Sequence, residues 1–366
     1  MGRSHPFRRS LALVALVLGT ISWAPAQAEN RAQAISDLSI LDPTREANGP
    51  DIAARPGGTS LLVWHNDGQS SPRLIGQLLS ASGERIGPEI DLGIGVTPQV
   101  ATLPNSGFAL VYQEGLGFGK NVFVRRLDPR GRPLASPLQV SPSISPTEAN
   151  EQPRIATSRE GHIAVTWQSV AFAPLFVRTA YSRFLTSDLS PLSDALALHP
   201  NTGTDTTSAD VAFDSDGTAV IVWDVGFLSA GSSLWARRFQ ANGTPLNEPT
   251  KISATDGHAH LEPRLVPRSA VDASGFWLAW ERSLEAGGVL SEGPLEARIA
   301  ELSTGLSPTD EPFALEPAMG HSVGLASPRV TPTIGTDVAG FVLVVGRHGQ
   351  EEDLQIAGRL FDPEGQ

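Results

Sequence analysis

Short apolar runs of about six residues, each opened by glycine and closed by an aromatic and a polar residue, recur along the chain. They read GTSLLVWH at 58, GFALVYQ at 107, GHIAVTWQ at 161, GTAVIVWD at 217, GFWLAWE at 275 and, in a degraded copy, GFVLVVGRH at 340. Runs of this length, rich in β-branched and aromatic residues and bounded by turn residues, predict buried strands rather than helices. Upstream of each stands a second short apolar segment, PDIAA, PQVAT, PRIAT, ADVAF, PRLVP and PRVTP, starting at 50, 98, 153, 209, 263 and 328. Between the two lie turns such as PNSG, SREG, DSDG and DASG, whose Gly, Asn and Asp favour tight reversals. A third segment follows (RLIGQLL, VFVRRLD, LWARRFQ), then a turn (SASGE, DPRGR, QANGT) and a polar-apolar fourth segment such as PLASPLQV. The pattern predicts a repeating unit of four short antiparallel strands, A to D.

The A segments begin 48, 55, 56, 54 and 65 residues apart. One such sheet cannot bury both its faces alone, but a ring of them can, and repeats of roughly 40 to 50 residues with four strands each have the form of propeller blades. A row of Ig-like sandwiches would need about seven strands per unit. The expected fold is therefore all-β, a six-bladed β-propeller of four-stranded antiparallel blades. The last copy ends after its C strand, in LQIAGRLFDPEGQ, and its missing strand is found at the other end of the chain. Residues 33–54 parallel residues 133–156, including a shared Glu-Ala-Asn before strand A. A strand over 33–43 that completes the last blade would remove two sheet edges. This circular closure resembles that of secreted bacterial β-propeller repeat proteins. The resemblance covers residues 33–366 and implies the fold alone, for neither a kelch double glycine nor a WD dipeptide recurs from blade to blade.

The first ten residues hold three Arg and no acid, an apolar run LALVALVLGTISWA follows, and APAQA ends in a small-x-small pattern. This predicts an export signal over 1–28, cleaved after Ala28, and a single domain over 29–366 in the periplasm or outside the cell, with no membrane span after cleavage. The remaining 24 basic and 39 acidic residues leave a formal charge of −15, which repels phosphate backbones and argues against a nucleic-acid partner. Cysteine is absent, so an exported chain must be held by its core rather than by disulfides. A monomer is expected.

Alternating strand direction puts the B-to-C and D-to-A loops on one face, the longer and more varied one, which becomes the candidate working face. Six histidines map there: His65, His199, His258, His260, His321 and His348. All but His199 border blades 5, 6 and 1, with Asp67, Glu262, Glu281 and Arg347 nearby, an arc suited to a metal, an anion or a sugar. His258 and His260 form its only close pair. Polar residues opening strand A, Asp51, Gln99, Arg154, Asp210, Arg264 and Arg329, form one ring position near the channel mouth. The three arginines there resemble the carboxylate-binding set of six-bladed sialidases, but FDSDGT at 213 is no Asp-box, since it lies in an A-to-B turn and lacks the following aromatic. On the opposite arc, loops of blades 2, 3 and 4 carry Phe118, Phe172, Phe176 and Phe227, either as a partner surface or as an inward plug of the channel.

Trp64, Tyr112, Trp167, Trp223 and Trp280 share one place in strand B, as expected of packing between blades. For catalysis the best carboxylate pair is Asp224 and Glu281, at equivalent positions in neighbouring blades. The sequence holds no catalytic signature and indicates no cofactor. The expected function is a non-catalytic module that binds a protein or glycan on its loop-rich face, and the alternative is a glycan-acting hydrolase or lyase.

Overall fold

The computed structural model describes residues 47–66, 71–115, 118–142, 147–172, 176–199, 205–226, 232–268, 275–283, 295–308, 313–314, 331–332, 342–348 and 355–361. They form six antiparallel sheets, each keeping chain order from one strand to the next. The first holds β1 (Ala47–Ala54), β2 (Ser60–Asn66), β3 (Arg73–Leu79) and β4 (Arg85–Ile94), and the second β5 (Val96–Thr102), β6 (Phe108–Glu114), β7 (Asn121–Leu127) and β8 (Leu138–Gln139). The third holds β9 (Glu148–Thr157), β10 (Ile163–Ala171), β11 (Val177–Leu185) and β12 (Leu196–Ala197), and the fourth β13 (Thr206–Phe213), β14 (Ala219–Val225), β15 (Ser233–Phe239) and β16 (Thr250–Lys251). The fifth is β17 (His260–Pro267), β18 (Phe276–Ser283), β19 (Leu295–Leu302) and β20 (Phe313–Ala314), and the sixth β21 (Thr331–Pro332), β22 (Val342–His348) and β23 (Gln355–Phe361). This is the expected β-propeller of antiparallel blades. The proposed closing strand at 33–43 lies outside the described residues. Among the described residues no helix is long and apolar enough to cross a membrane.

The apolar runs are continuous rather than alternating because, in the first five sheets, both faces of the second strand are buried. Leu110 and Tyr112 of β6 pack with Leu61, Val63 and Leu74 of the first sheet, while Val111 on the other side meets Val165 and Trp167 of the third. The alternation repeats onward: Ile221 and Trp223 turn back towards Phe184 and Ala180, and Val222 turns forward to Leu278 and Trp280. The core therefore lies between sheets. The recurrent aromatics are buried within it, Trp167 and Trp223 completely, as expected of a packing position. Turns join in as well. Gly243, at φ 87° between β15 and β16, lies so near the preceding blade that a β-carbon there would stand 2.7 Å from Phe184.

The first strands of successive sheets, β1, β5, β9, β13 and β17, pack on one another and so surround the axis. At their loop-bearing ends they share a bulge. The register against the second strand slips between Asn48 and Asp51, Val96 and Gln99, Thr207 and Asp210, and Leu261 and Arg264. The extruded residues Gly49, Thr97, Gln152, Ser208 and Glu262 have φ of 56°, 48°, 52°, 29° and 50°. Four of the five precede a proline, which supplies no N–H to the ladder and forces the residue before it out of the right-handed helical region.

Candidate active site

Left-handed backbone at non-glycine residues is costly and gathers where a fold aims side chains for use. Here the bulge faces a polar side chain at the end of each second strand: His65, Gln113, Gln168, Asp224 and Glu281, all buried. These are not a solvated rim. In the first two blades they tie the bulged strands of neighbouring blades together. The Thr97 N–H donates to His65 Nδ1 (3.4 Å), the Thr97 hydroxyl donates to Gln113, and Gln113 Nε2 donates in turn to the Asn150 carbonyl (3.0 Å).

In the fourth and fifth blades the same frame brings carboxyl groups together. The Thr207 N–H (3.1 Å) and hydroxyl both donate to Asp224 Oδ1. The next residue, Ser208, donates its hydroxyl to Glu262 Oε1 at 2.7 Å, and Arg264 Nη2 holds Glu262 Oε2 at 3.1 Å. The dipeptide Thr207-Ser208 thus carries one carboxyl on each residue. Their environments differ. Asp224 is 1% exposed and its Oδ2 is buried without a hydrogen-bond partner. Burial, with the charge of Glu262, pushes its value up to about 7 against the pull of Thr207. Glu262 is half-buried, beside the Arg264 guanidinium and the Ser208 hydroxyl. Glu281, the other expected member of the pair, is buried in β18 opposite Leu261. Sequence reasoning placed Glu262 only among ligand-binding residues and missed its pairing with Asp224. The Pro263 that follows it, repeated in four of five blades, was the signal available for the bulge.

The ring position lies just beyond. Asp51 accepts from the Val100 N–H (2.7 Å), and Asp210 from the N–H groups of Val211 (2.9 Å) and Leu265 (2.8 Å), each reaching into the next blade. Burial lifts Asp51 to about 6, although the Val100 N–H and Arg154 oppose it. Arg264 is committed to the Pro263 carbonyl and Glu262. Arg329 lies outside the described residues.

The histidines of the arc whose side chains are described are each held by groups of the protein itself. His260 is buried, accepting at Nδ1 from Trp280 Nε1 (3.0 Å) and meeting Asp256 Oδ1 through Nε2 (3.1 Å). That pair of partners requires the neutral ring protonated at Nε2, and burial lowers its value accordingly. Burial raises Asp256, but the His258 N–H, His260 and Arg282 outweigh it and hold that carboxyl well below the usual range. His258 turns to the Ser283 carbonyl through Nδ1 (2.7 Å), and His65 serves the bulge of the second blade. The close pair of histidines is therefore spent on packing and hydrogen bonding inside the protein. Among the described residues no group of three His, Asp or Glu is placed to hold a metal. His199 is buried edge-on against Trp235 (5.1 Å). His348 is placed by its backbone alone, opposite Gln355, and His321 and Asp67 lie outside the described residues.

The phenylalanines are on the surface and not a plug. Phe118, Phe172 and Phe176 are 61%, 38% and 52% exposed. They touch edge to face at 4.7 and 5.7 Å, and Arg178 caps Phe176. Phe227 lies outside the described residues.

No protein-family model and no curated protein matches the sequence. Solved structures do match in fold. A Dyadobacter fermentans protein of unknown function superposes with a TM-score of 0.58 at 13% identity, over 87% of this chain and 94% of that one. An α-L-arabinofuranosidase from Fusarium graminearum gives 0.54 at 11% identity, over 87% and 93%. An α-L-arabinanase from Penicillium chrysogenum, solved with arabinobiose, gives 0.53 at 11% identity, over 87% and 94%. The expectation of a non-catalytic binding module is corrected at this point. The superposing propellers whose activity is stated are glycan-cleaving enzymes, and the bulged strands gather carboxyl groups in unlike surroundings. The sequence had offered a glycan-acting enzyme as the alternative, with Asp224 and Glu281 as its carboxyl pair.

Proposed function

We propose that this chain is a glycoside hydrolase acting on a neutral glycan at the loop-bearing end of its central axis. The observation that carries the reading is the carboxyl pair on Thr207-Ser208. Glycosidic bond cleavage needs one carboxylic acid that still holds its proton near neutrality and one that has lost it. Asp224, dry and lifted to about 7, is the proton-holding group. Glu262, partly open and gripped by Arg264 and Ser208, is the ionised partner that stabilises positive charge or attacks the sugar carbon. The fold likeness to arabinan-cleaving enzymes makes arabinan and arabinobiose the first substrates to test, followed by a wider polysaccharide panel. Release of reducing sugar is expected, with a loss of about 100-fold or more in kcat for Glu262→Gln at unchanged melting temperature. Turnover by Glu262→Gln at the wild-type rate would dismiss the assignment.

The same reading places the enzyme outside the cytoplasm, freed of a signal at 1–28, as a monomeric six-bladed ring over 29–366 closed by residues 33–43. One feature supports closure. On the face of the first sheet turned away from the second, Leu62, Trp64, Ile75 and Leu79 form a buried apolar cluster, which in a ring would be covered by the last blade. Deleting 33–43 is expected to cost cooperative unfolding, because a blade edge and its backbone groups would be left unpaired. A deletion variant with an unaltered melting transition would rule closure out.

A further inference from the structure

The exposed phenylalanines of the loop-bearing end form one apolar surface built by two blades. Phe118 stands between β6 and β7, while Phe172 and Phe176 flank the connection from β10 to β11. Hydrogen bonds fix both places to the third blade. The Phe172 N–H donates to the Thr147 carbonyl (3.0 Å), and the N–H of Gly119, beside Phe118, donates to the Glu148 carbonyl (2.8 Å). Both connections are thus fastened to the entry of β9, and the edge-to-face contacts join the rings across the two blades.

Charged groups border these rings. Arg178 lies over Phe176, 4.5 Å from the ring centre, and is anchored to Asp205 by its own N–H (2.9 Å) and by an ion pair (3.6 Å). Lys120, two residues after Phe118, pairs with Glu151 at 3.5 Å. An apolar floor with a polar rim matches a sugar ring, whose C–H groups settle on the negative faces of aromatic rings while its hydroxyls point outwards to the rim. A lipid surface or an anionic chain gains little here, because the charges of each bordering pair cancel. The patch is also small for a protein partner. Three half-open rings leave roughly 300 Å² exposed, against about 800 Å² on each side of a standard protein contact.

Asp205 connects this surface to the carboxyl pair. It lies three residues before Ser208, about 10 Å along an extended chain. Its carbonyl accepts from the Gly226 N–H (2.8 Å), two residues after Asp224. A glycan that met Asp224 and Glu262 and continued outwards over the third blade would cross Arg178 and reach the rings.

We infer that Phe118, Phe172 and Phe176 form a stacking subsite for sugar units of a glycan chain beyond those at the carboxyl pair, so that the protein takes a polymer in preference to a disaccharide. The inference rests on the hydrolase reading and extends it. The test compares the full mature chain with a triple variant, Phe118→Ser, Phe172→Ser and Phe176→Ser, and with a double variant, Phe118→Trp and Phe176→Trp. The probes are linear arabinan, xylan and β-glucan, cast in native gels to read binding by retardation, and arabinobiose as the short comparison. The triple variant should bind its polymer about 10- to 100-fold more weakly at an unchanged melting temperature, since the rings it removes are open to water. The double variant, with larger ring faces, should bind at least as well as wild type. Where turnover is seen, the triple variant should raise KM on the polymer more than on arabinobiose.

Polymer binding by the triple variant equal to that of wild type, or a double variant that binds no better than the triple one, would overturn the proposal. Self-association of the wild type in sedimentation, removed by the Ser substitutions while polymer binding stays, would overturn it in favour of a contact between copies. Polymer binding that depends on the rings, without turnover by the wild type, would leave this subsite standing and dismiss the hydrolase reading. Turnover of a polymer with a KM that the triple variant does not change would do the reverse. Neither binding nor turnover on all the probes would dismiss both.

Discussion

Replacing Asp224 by Asn is expected to abolish turnover and at the same time to stabilise the protein above neutral pH. The loss follows from chemistry: Asn offers the Thr207 N–H and hydroxyl the same acceptor but cannot release a proton, and general acid catalysis contributes roughly 10²- to 10⁴-fold. The gain follows from burial. Asp224 rises to about 7 in the folded protein from an ordinary 3.8, so the folded state holds this proton more tightly than the unfolded chain does. Its contribution to stability is therefore full below about pH 4, declines as pH rises, and is gone above about pH 7. Asp51 adds a decline of the same sign that ends near pH 6. The wild-type unfolding free energy should fall across this interval, whereas that of Asp224→Asn should fall less and end higher, by on the order of 1–3 kcal/mol at pH 8. Activity should fade above about pH 7 as the acid loses its proton. Denaturant midpoints at pH 5 and pH 8 check the first claim. A variant that is less stable than wild type at pH 8 would mean that Asp224 is ionised and usefully paired in the fold.

The largest loss of stability is expected from Trp167→Ala, about 3–5 kcal/mol by the general cost of emptying a buried aromatic site. Trp167 is fully buried between the second and third sheets, stacked on Tyr181 at 5.7 Å, and its Nε1 donates to Asn150 Oδ1 at 3.1 Å. Asn150 is in turn the point where the two blades meet, because its carbonyl accepts from Gln113 and its N–H donates to the Lys120 carbonyl (2.9 Å). Trp167→Phe keeps most of the packing but strands the Asn150 oxygen, so a smaller loss of about 1–2 kcal/mol is expected. Equal midpoints for the two variants in urea would show that the hydrogen bond contributes nothing beyond the ring.

The sheet architecture was legible in the sequence because packing wrote it there. A strand buried on both faces must be apolar throughout, and the turn between strands must supply Gly, Asn or Asp, so GTAVIVWD and its relatives announce the second strand of each sheet. The Trp and Tyr positions were legible for the same reason. The site was less so. Asp224 was picked out because it follows Trp223, but sequence spacing said nothing of its pairing with Glu262, which comes 38 residues later and reaches Ser208 only through the contact of β13 with β17. For the histidines, residue type alone does not distinguish a ligand-binding imidazole from one held, as His260 is, between Trp280 and Asp256. The phenylalanines illustrate the opposite limit: their loops were recognised, but only coordinates decide whether a loop side chain turns inwards.

The five bulges also bear on how such a site arises. Glycine, threonine, glutamine, serine and glutamate occupy the same backbone conformation in successive blades, so the scaffold sets where this side chain sits while leaving its identity open. Each blade offers an equivalent mounting point around the axis, and chemistry can be gained, lost or moved from one to another by single substitutions that leave the strands, their register and the core between them as they are. The glutamate of the fifth blade is one occupant of that series, and descendants of this chain could change substrate without changing fold.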